Sequence, residues 1–191
     1  MINTDENILV SKLVKKDEEA FKILIEQYKD RVYNTSLGFV QNSGDAEDIT
    51  QEVFIEIFES IKGFRGGSKL STWIYRITVT KSLDFIKAKK RKKRFAVFTS
   101  LFGEKHELIH DPPDFIHPGI KMENKELSSV LFKALEKLPE NQKIVFTLNK
   151  IEDLSYSEIC EVMNISLSSV ESLMHRSKTN LKKILAGYYN T

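Results

Sequence analysis

Apolar residues return every three or four positions over most of this chain, with polar residues between them, so the pattern is helical. A short helix around Ile8 to Val14 is followed by a capping Asp17 and then Phe21, Leu24, Ile25, Tyr28 and Val32 at helical spacing. Asn42 to Gly44 forms a turn, and Asp45, with Asp48 three residues on, caps a helix carrying Ala46, Ile49, Val53, Phe54, Ile57, Phe58 and Ile61. These apolar positions fall on two flanks, one for a core and one for something else. Glycines make a loop of Phe64 to Lys69, and Ser71 opens a long helix through Arg94. The periodicity then breaks down until about Glu123. It resumes with Leu127, Val130, Leu131, Ala134, Leu135 and Leu138 on one side of a helix. Pro139, at the first position of the next, leads to Ile144, Val145 and Leu148.

The last part is a helix-turn-helix. Ser155 and Glu158 form a capping box, in which each side chain satisfies a backbone donor the helix start leaves free. Ile159, Val162 and Met163 give that helix its apolar face; Asn164 tolerates the left-handed turn that ends it, Ile165 plugs the corner, and Ser166 caps the next helix. Val170, Leu173, Met174, Leu181, Ile184 and Leu185 turn inward there. Ser168, Ser169, Glu171, Ser172, His175, Arg176 and Lys178 are left for solvent or DNA. Many helical proteins contain a plain hairpin of this kind. What favours DNA is a start of small polar side chains followed by a basic half, which can meet base edges first and phosphates next. No internal repeat and no sustained strand-like alternation is present, so the expected fold is all-α.

Composition adds bounds. The 191 residues, 41% of them hydrophobic, suffice for one large or two small cores. Lys and Arg total 29 against 27 Asp and Glu, a net charge of +2 that does not by itself announce a nucleic-acid partner. The distribution does. One cysteine, Cys160, excludes an intramolecular disulfide and reads as a small buried hydrophobe on the inward side of its helix. No apolar run approaches the ~18 residues of a membrane span, and the acidic opening MINTDEN is unlike a signal peptide, so a cytoplasmic protein is expected.

Candidate chemistry concentrates in three places. Asp48, Gln51 and Glu52 beside Phe54 suit a protein-docking surface, or else the acids only complement the helix macrodipole; spacing leaves both open. Trp73, Tyr75, Arg76 and Lys81 precede the run Lys87, Lys89, Lys90, Arg91, Lys92, Lys93 and Arg94, putting aromatics and cations on one helix. Charge runs are usually solvated faces, yet this pairing binds a phosphate backbone and stacks unpaired bases, which favours single-stranded or melted DNA. The stretch 95–122 reads as a flexible linker of about 28 residues, long enough extended to reach on the order of 90 Å. Within it His106-Glu107-Leu108-Ile109-His110 matches a zinc-hydrolase pattern that needs a secure helix. Gly103 before it and Asp111-Pro112-Pro113 after it leave little more than one turn, and His117 does not stand at a third-ligand spacing. No metal site and no cofactor are therefore expected.

Taken in order, DAEDITQEVF, FRGGSKLSTWIYRIT, a basic run, a linker, LPENQKIVF and the helix-turn-helix resemble the bacterial sigma factors of extracytoplasmic-function type, in the sigma-70 family. The resemblance covers nearly the whole chain apart from the linker. It implies two helical domains joined by a flexible linker, residues 1–94 for polymerase binding and minus-ten reading and residues 123–191 for minus-thirty-five reading. It implies core RNA polymerase and promoter DNA as partners, a restraining anti-sigma protein, help in melting the start site, and no catalysis by the protein itself. The polymerase contact falls on Asp45, Asp48, Gln51, Glu52 and Phe54. Minus-ten reading falls on Phe64, Arg65, Ser68, Lys69, Ser71, Trp73, Arg76, Thr80, Lys81, Lys89, Lys90 and Arg91. Minus-thirty-five reading falls on Ser168, Ser169, Glu171, Ser172, His175, Arg176 and Lys178. Thr80 stands where many relatives carry Asn, so that amide contact is lost. Glu171-Ser172-Leu173 stands where many have Lys-Ser-Arg; a carboxylate there can accept from cytosine N4. Two other classes fit parts of the chain: a free-standing helix-turn-helix regulator, which would bind duplex tightly without polymerase, and a zinc hydrolase, which would hold stoichiometric zinc.

Overall fold

The computed structural model describes residues 4–102 and 125–189. All regular structure among them is helical: α1 (Thr4–Val14), α2 (Glu18–Val40), α3 (Ser43–Ser60), a 3-10 turn (Ile61–Gly63), α4 (Leu70–Phe102), α5 (Lys125–Glu136), α6 (Glu140–Lys150), α7 (Tyr156–Met163) and α8 (Leu167–Tyr189). The stop signals act where small polar residues can serve them. The Asp17 carboxylate accepts from the Ala20 amide at 2.8 Å and starts α2. Gln41 ends α2 in the left-handed conformation. For α3 the cap is Asn42, not Asp45, because its Oδ1 accepts from the Asp45 amide at 2.9 Å and the helix begins three residues earlier than expected. Pro139 stands at the position just before α6, not inside it, without a side-chain cap; its carbonyl accepts from the Gln142 and Lys143 amides. α4 continues to Phe102, eight residues beyond its expected end at Arg94, and the zinc-like stretch around His106 and His110 lies outside the described residues.

Two lobes result. In the first, α1 to α4 close over Leu13, Leu24, Val32, Ile49, Val53, Phe54, Ile57, Ile61, Leu70 and Ile74. The Glu6 carboxylate reaches across from α1 to accept from the Leu70 amide, finishing the start of α4 in a way no local motif announces. In the second lobe, α5 and α8 enclose Phe132, Ala134, Leu135, Leu138 and Leu181. A third cluster joins the lobes. Phe39 of α2 and Val79 of α4 are buried with Ile144, Val145 and Leu148 of α6, Ile159 and Val162 of α7, and Val170 and Met174 of α8.

Candidate nucleic-acid interface

In the second lobe the capping box forms as the sequence requires: Glu158 accepts from the Ser155 amide at 3.0 Å, and Ser155 Oγ accepts from the Glu158 amide at 3.3 Å. The amide bond to the carboxylate, with a second from the Ser155 hydroxyl to Glu158 Oε2 at 2.8 Å, holds the Glu158 carboxyl below the usual carboxylate range. Asn164 takes the left-handed turn at φ 53°, and the Ser169 amide donates to Ser166 Oγ. This corner fixes the direction of α8. Val170 and Met174 are buried, while Ser168, Ser169, Glu171, His175, Arg176 and Lys178 are exposed and Ser172 is half-buried on the outer side. The open groove of about 600 Å³ at the start of α8 is lined by Ser168, Ser169, Ser172 and Arg176 together with Met163, Ile165, Leu173 and Asn141. Asn141 comes from the start of α6, and no linear motif near the helix-turn-helix could have disclosed it.

The first lobe divides its candidates. On α3, Asp48, Gln51 and Glu52 are exposed and Asp45 is partly so. Phe54 is not among them. Only 8% of it is exposed, and it packs in the core beside Val53 and Ile57, because this helix buries two adjacent rows. The apolar side chains left outside are Ile55, 58% exposed, and Phe58, 39% exposed. Phe58 is held by an edge contact with Phe21 at 5.1 Å and by the Lys16 ammonium 3.8 Å from its ring centroid. Ile55 stands one turn from Gln51 and Glu52, so its exposure puts it on the same side of the helix as those two.

The minus-ten candidates are largely engaged within the molecule. Phe64 and Trp73 lie against each other at 5.4 Å, both partly buried on the first core, and Gly66 takes φ 70° in the loop between them. Arg76 Nε donates to the carbonyls of Glu161 and Val162 at 3.0 and 3.2 Å, and its Nη2 also reaches Glu161. These are carbonyls of the last turn of α7, which a helix leaves without internal partners and which attract a cation. Thr72 donates to the Glu161 carboxylate at 3.2 Å, and Lys69 stands 3.9 Å from Glu158. Lys81 pairs with Glu56 at 3.0 Å, Lys87 with Glu140 at 3.5 Å, and Lys89 with Asp45. Arg65, Thr80, Lys90 and Arg91 are exposed, Ser68 and Ser71 partly so. The Lys89 pair thus joins a residue expected at DNA to one expected at polymerase.

The seam between the lobes has a second cation on a helix end. Lys143 of α6, buried, donates to the Phe39 carbonyl of α2 at 2.8 Å, and Gln41 Nε2 donates to the Phe132 carbonyl at 2.9 Å. Burial pulls the Lys143 ammonium down to about 8, with Glu136 opposing and Lys90 adding to the shift. Beyond α6, Glu152 lies against Thr35 and Arg31 of α2, its Oε1 buried without a hydrogen-bond partner. Burial pushes its carboxyl up to about 7; Arg31 pulls it down and Asp153 raises it. A donated Thr35 proton would also pull it down, but that proton is already on the Arg31 carbonyl at 2.7 Å. Burial and the Glu152 charge push the neighbouring Tyr75 phenol up to about 12. No group of side chains suited to a metal ion is present among the described residues, and no helix among them is long and apolar enough to cross a membrane.

Residues 24–92 match the family described as Sigma-70 region 2, and residues 129–181 match Sigma-70, region 4. The chain is similar to the ECF RNA polymerase sigma-E factor of Escherichia coli, 30% identical over 173 residues that cover 91% of this chain and 90% of the relative. It is 29% identical to the RNA polymerase sigma-H factor of Pseudomonas aeruginosa, over 93% of this chain and 92% of that one. Among solved structures the fold resembles CnrH in complex with the cytosolic domain of CnrY, with a TM-score of 0.67 at 17% identity over 95% of this chain and 97% of that one. It also resembles the sigma factor RpoE of Bartonella quintana in complex with the anti-sigma factor NepR, with a TM-score of 0.58 at 17% identity, covering 87% and 96%.

Proposed function

The chain belongs to the sigma-70 family, among its extracytoplasmic-function sigma factors, and from that premise we propose how its two lobes divide the work at a promoter. Members of this family serve promoter-specific initiation of transcription with RNA polymerase and are not themselves catalysts. In the proposed division, the exposed row of α3 with Asp48, Gln51 and Glu52, flanked by Asp45, docks on core polymerase. The Phe64 to Ser71 loop and the first turns of α4 read the minus-ten element, with Trp73 and Phe64 beside one unstacked base and Arg76, Lys81, Lys89, Lys90 and Arg91 along the strand. Extruding a base costs a few kcal/mol, which pocket contacts and phosphate pairing offset, so the same lobe assists melting. The outer face of α8 reads the minus-thirty-five element. A restraining anti-sigma protein is part of the same reading.

The observation that carries this reading is the outer face of α8. Ser168, Ser169 and Arg176 stand exposed at an open groove with half-buried Ser172 in its lining and Glu171 exposed on the same helix, held in direction by a formed capping box and a left-handed Asn164. Side chains so placed at a helix start meet base edges in a major groove. The test is run-off transcription with bacterial core polymerase, with and without the protein, on fragmented DNA from its own source. Discrete new transcripts sharing upstream elements are expected. Folded protein that yields none, yet binds duplex tightly and specifically by itself, would instead be a free-standing regulator.

A further inference from the structure

The seam that joins the lobes is built unlike a permanent core. It places a buried ammonium on one side, Lys143 on the Phe39 carbonyl, and on the other a half-buried carboxyl, Glu152, whose buried Oε1 has no hydrogen-bond partner. The three helices that meet there also carry hydroxyls with no partner, Ser36 Oγ on α2, Ser82 Oγ on α4 and Thr147 Oγ1 on α6. Unpaired buried polar groups each weaken an interface. With this seam closed, α7 binds Arg76 and Thr72 and stands beside the still exposed Lys69, so part of the surface assigned above to the minus-ten strand faces protein instead.

Glu152 is where the closed seam has a choice. The Thr35 hydroxyl, its own proton donated to the Arg31 carbonyl, offers only lone pairs to its neighbour. A protonated Glu152 can donate to them; an ionised one cannot, and its charge sits near the half-buried Tyr75 phenol. We propose that Glu152 is a proton-operated latch: protonated, it holds the helix-turn-helix lobe over the promoter-reading helix, and ionised, it releases that lobe.

The charged and titratable groups facing it set the window. Arg31 on α2 favours the ionised form, Asp153 beside it the protonated form, and Tyr75 on α4 stays neutral. The acid's closed value of about 7 lies above its ordinary 4.5, so its contribution to closure is complete below 4.5 and is lost as pH rises through 7. From pH 8 to pH 6 this favours closure by about tenfold. Lys143, with Glu136 on α5 and Lys90 on α4 around it, works the other way over the same range, by about twofold. The net gain is about fivefold.

The masking role rests on the function proposed above, but lobe separation can be read without polymerase or DNA. In full-length protein carrying Cys160→Ala, exposed Lys62 and Lys183 are replaced by cysteine and labelled with a donor and acceptor dye. Energy transfer should report a closed-to-open ratio about fivefold higher at pH 6 than at pH 8. Glu152→Gln, which keeps the shape of the acid and cannot ionise, should remain closed at pH 8 and lose the gain at pH 6. A transfer efficiency flat with pH in the parent protein, or the same pH response in Glu152→Gln, would overturn the latch. Should Glu152→Gln lack parental helix content, Lys143→Met decides: removal of the opposing group should raise the response toward about tenfold, and an unchanged or lost response refutes the proposal. Run-off transcription on the same proteins then separates the two readings, since a working latch without transcripts would fault the function and not the seam.

Discussion

Phe54 and Ile55 are neighbours in sequence and opposites in environment, one in the core and one largely in solvent. Phe54→Ala should cost about 3–5 kcal/mol of stability, read by denaturant unfolding, whereas Ile55→Ala should stay within about 0.5 kcal/mol. If the outer row of α3 docks on polymerase, Ile55→Ala and the pair Gln51→Ala with Glu52→Ala should weaken polymerase binding with helix content intact; unchanged binding would remove that assignment. Sequence periodicity put the acids on the outer side of α3, where they stand exposed, and set beside them an aromatic that the fold buries. An apolar residue on a helix with two apolar flanks declares that it is buried or binding, and only its neighbours decide which. Arg176 is the simpler case, exposed on the outer side of α8 as its spacing requires. Arg176→Ala should cost roughly 1–3 kcal/mol of promoter affinity if it reads a base edge, and a smaller loss uniform across sequences would make it a phosphate contact.

At the scale of elements, most helices were legible because their ends are written in short-range chemistry. Asp17, Ser155 with Glu158, Asn164 and Ser166 each act within four residues of where they stand. Ser155→Ala should destabilise the second lobe by about 1 kcal/mol, measured by thermal unfolding. Glu158 titrates below its ordinary range when folded, so the box contributes above that range and is lost as pH falls through the lowered value. The ends that were not legible are those completed from far away. The start of α4 receives the Glu6 carboxylate, the end of α2 receives Lys143 and the end of α7 receives Arg76. No local pattern encodes a cap supplied from another lobe.

For the molecule as a whole, the order of blocks along the chain gave two lobes, and the structure adds that they share a buried cluster from Phe39 to Met174. In sequence Tyr75 reads as an aromatic for unpaired bases and nothing singles out Phe39 or Val79, since a residue's period does not say whether its partner lies near or across the molecule. The same blindness applied to the cations of α4, which could be assigned to phosphate only by type. In the closed molecule Lys81, Lys87 and Lys89 find carboxylates instead. Such exposed pairs are weak and screened, so added salt should loosen them and leave the buried seam.

Each lobe finishes a helix that belongs to the other. Lys143 of the second lobe completes α2, and Arg76 of the first completes α7. When the lobes part, both helix ends lose a cation worth about 0.3–1 kcal/mol in the same moment. The last amide bonds of those helices, Gln41 to Leu37 and Asn164 to Cys160, should then exchange hydrogen with solvent in step. Arg76→Ala should quicken both, although Gln41 lies far from the altered residue's own contacts. Two amides remote in sequence thus keep time for a single event, and their exchange rates would report the opening of the protein without any label attached.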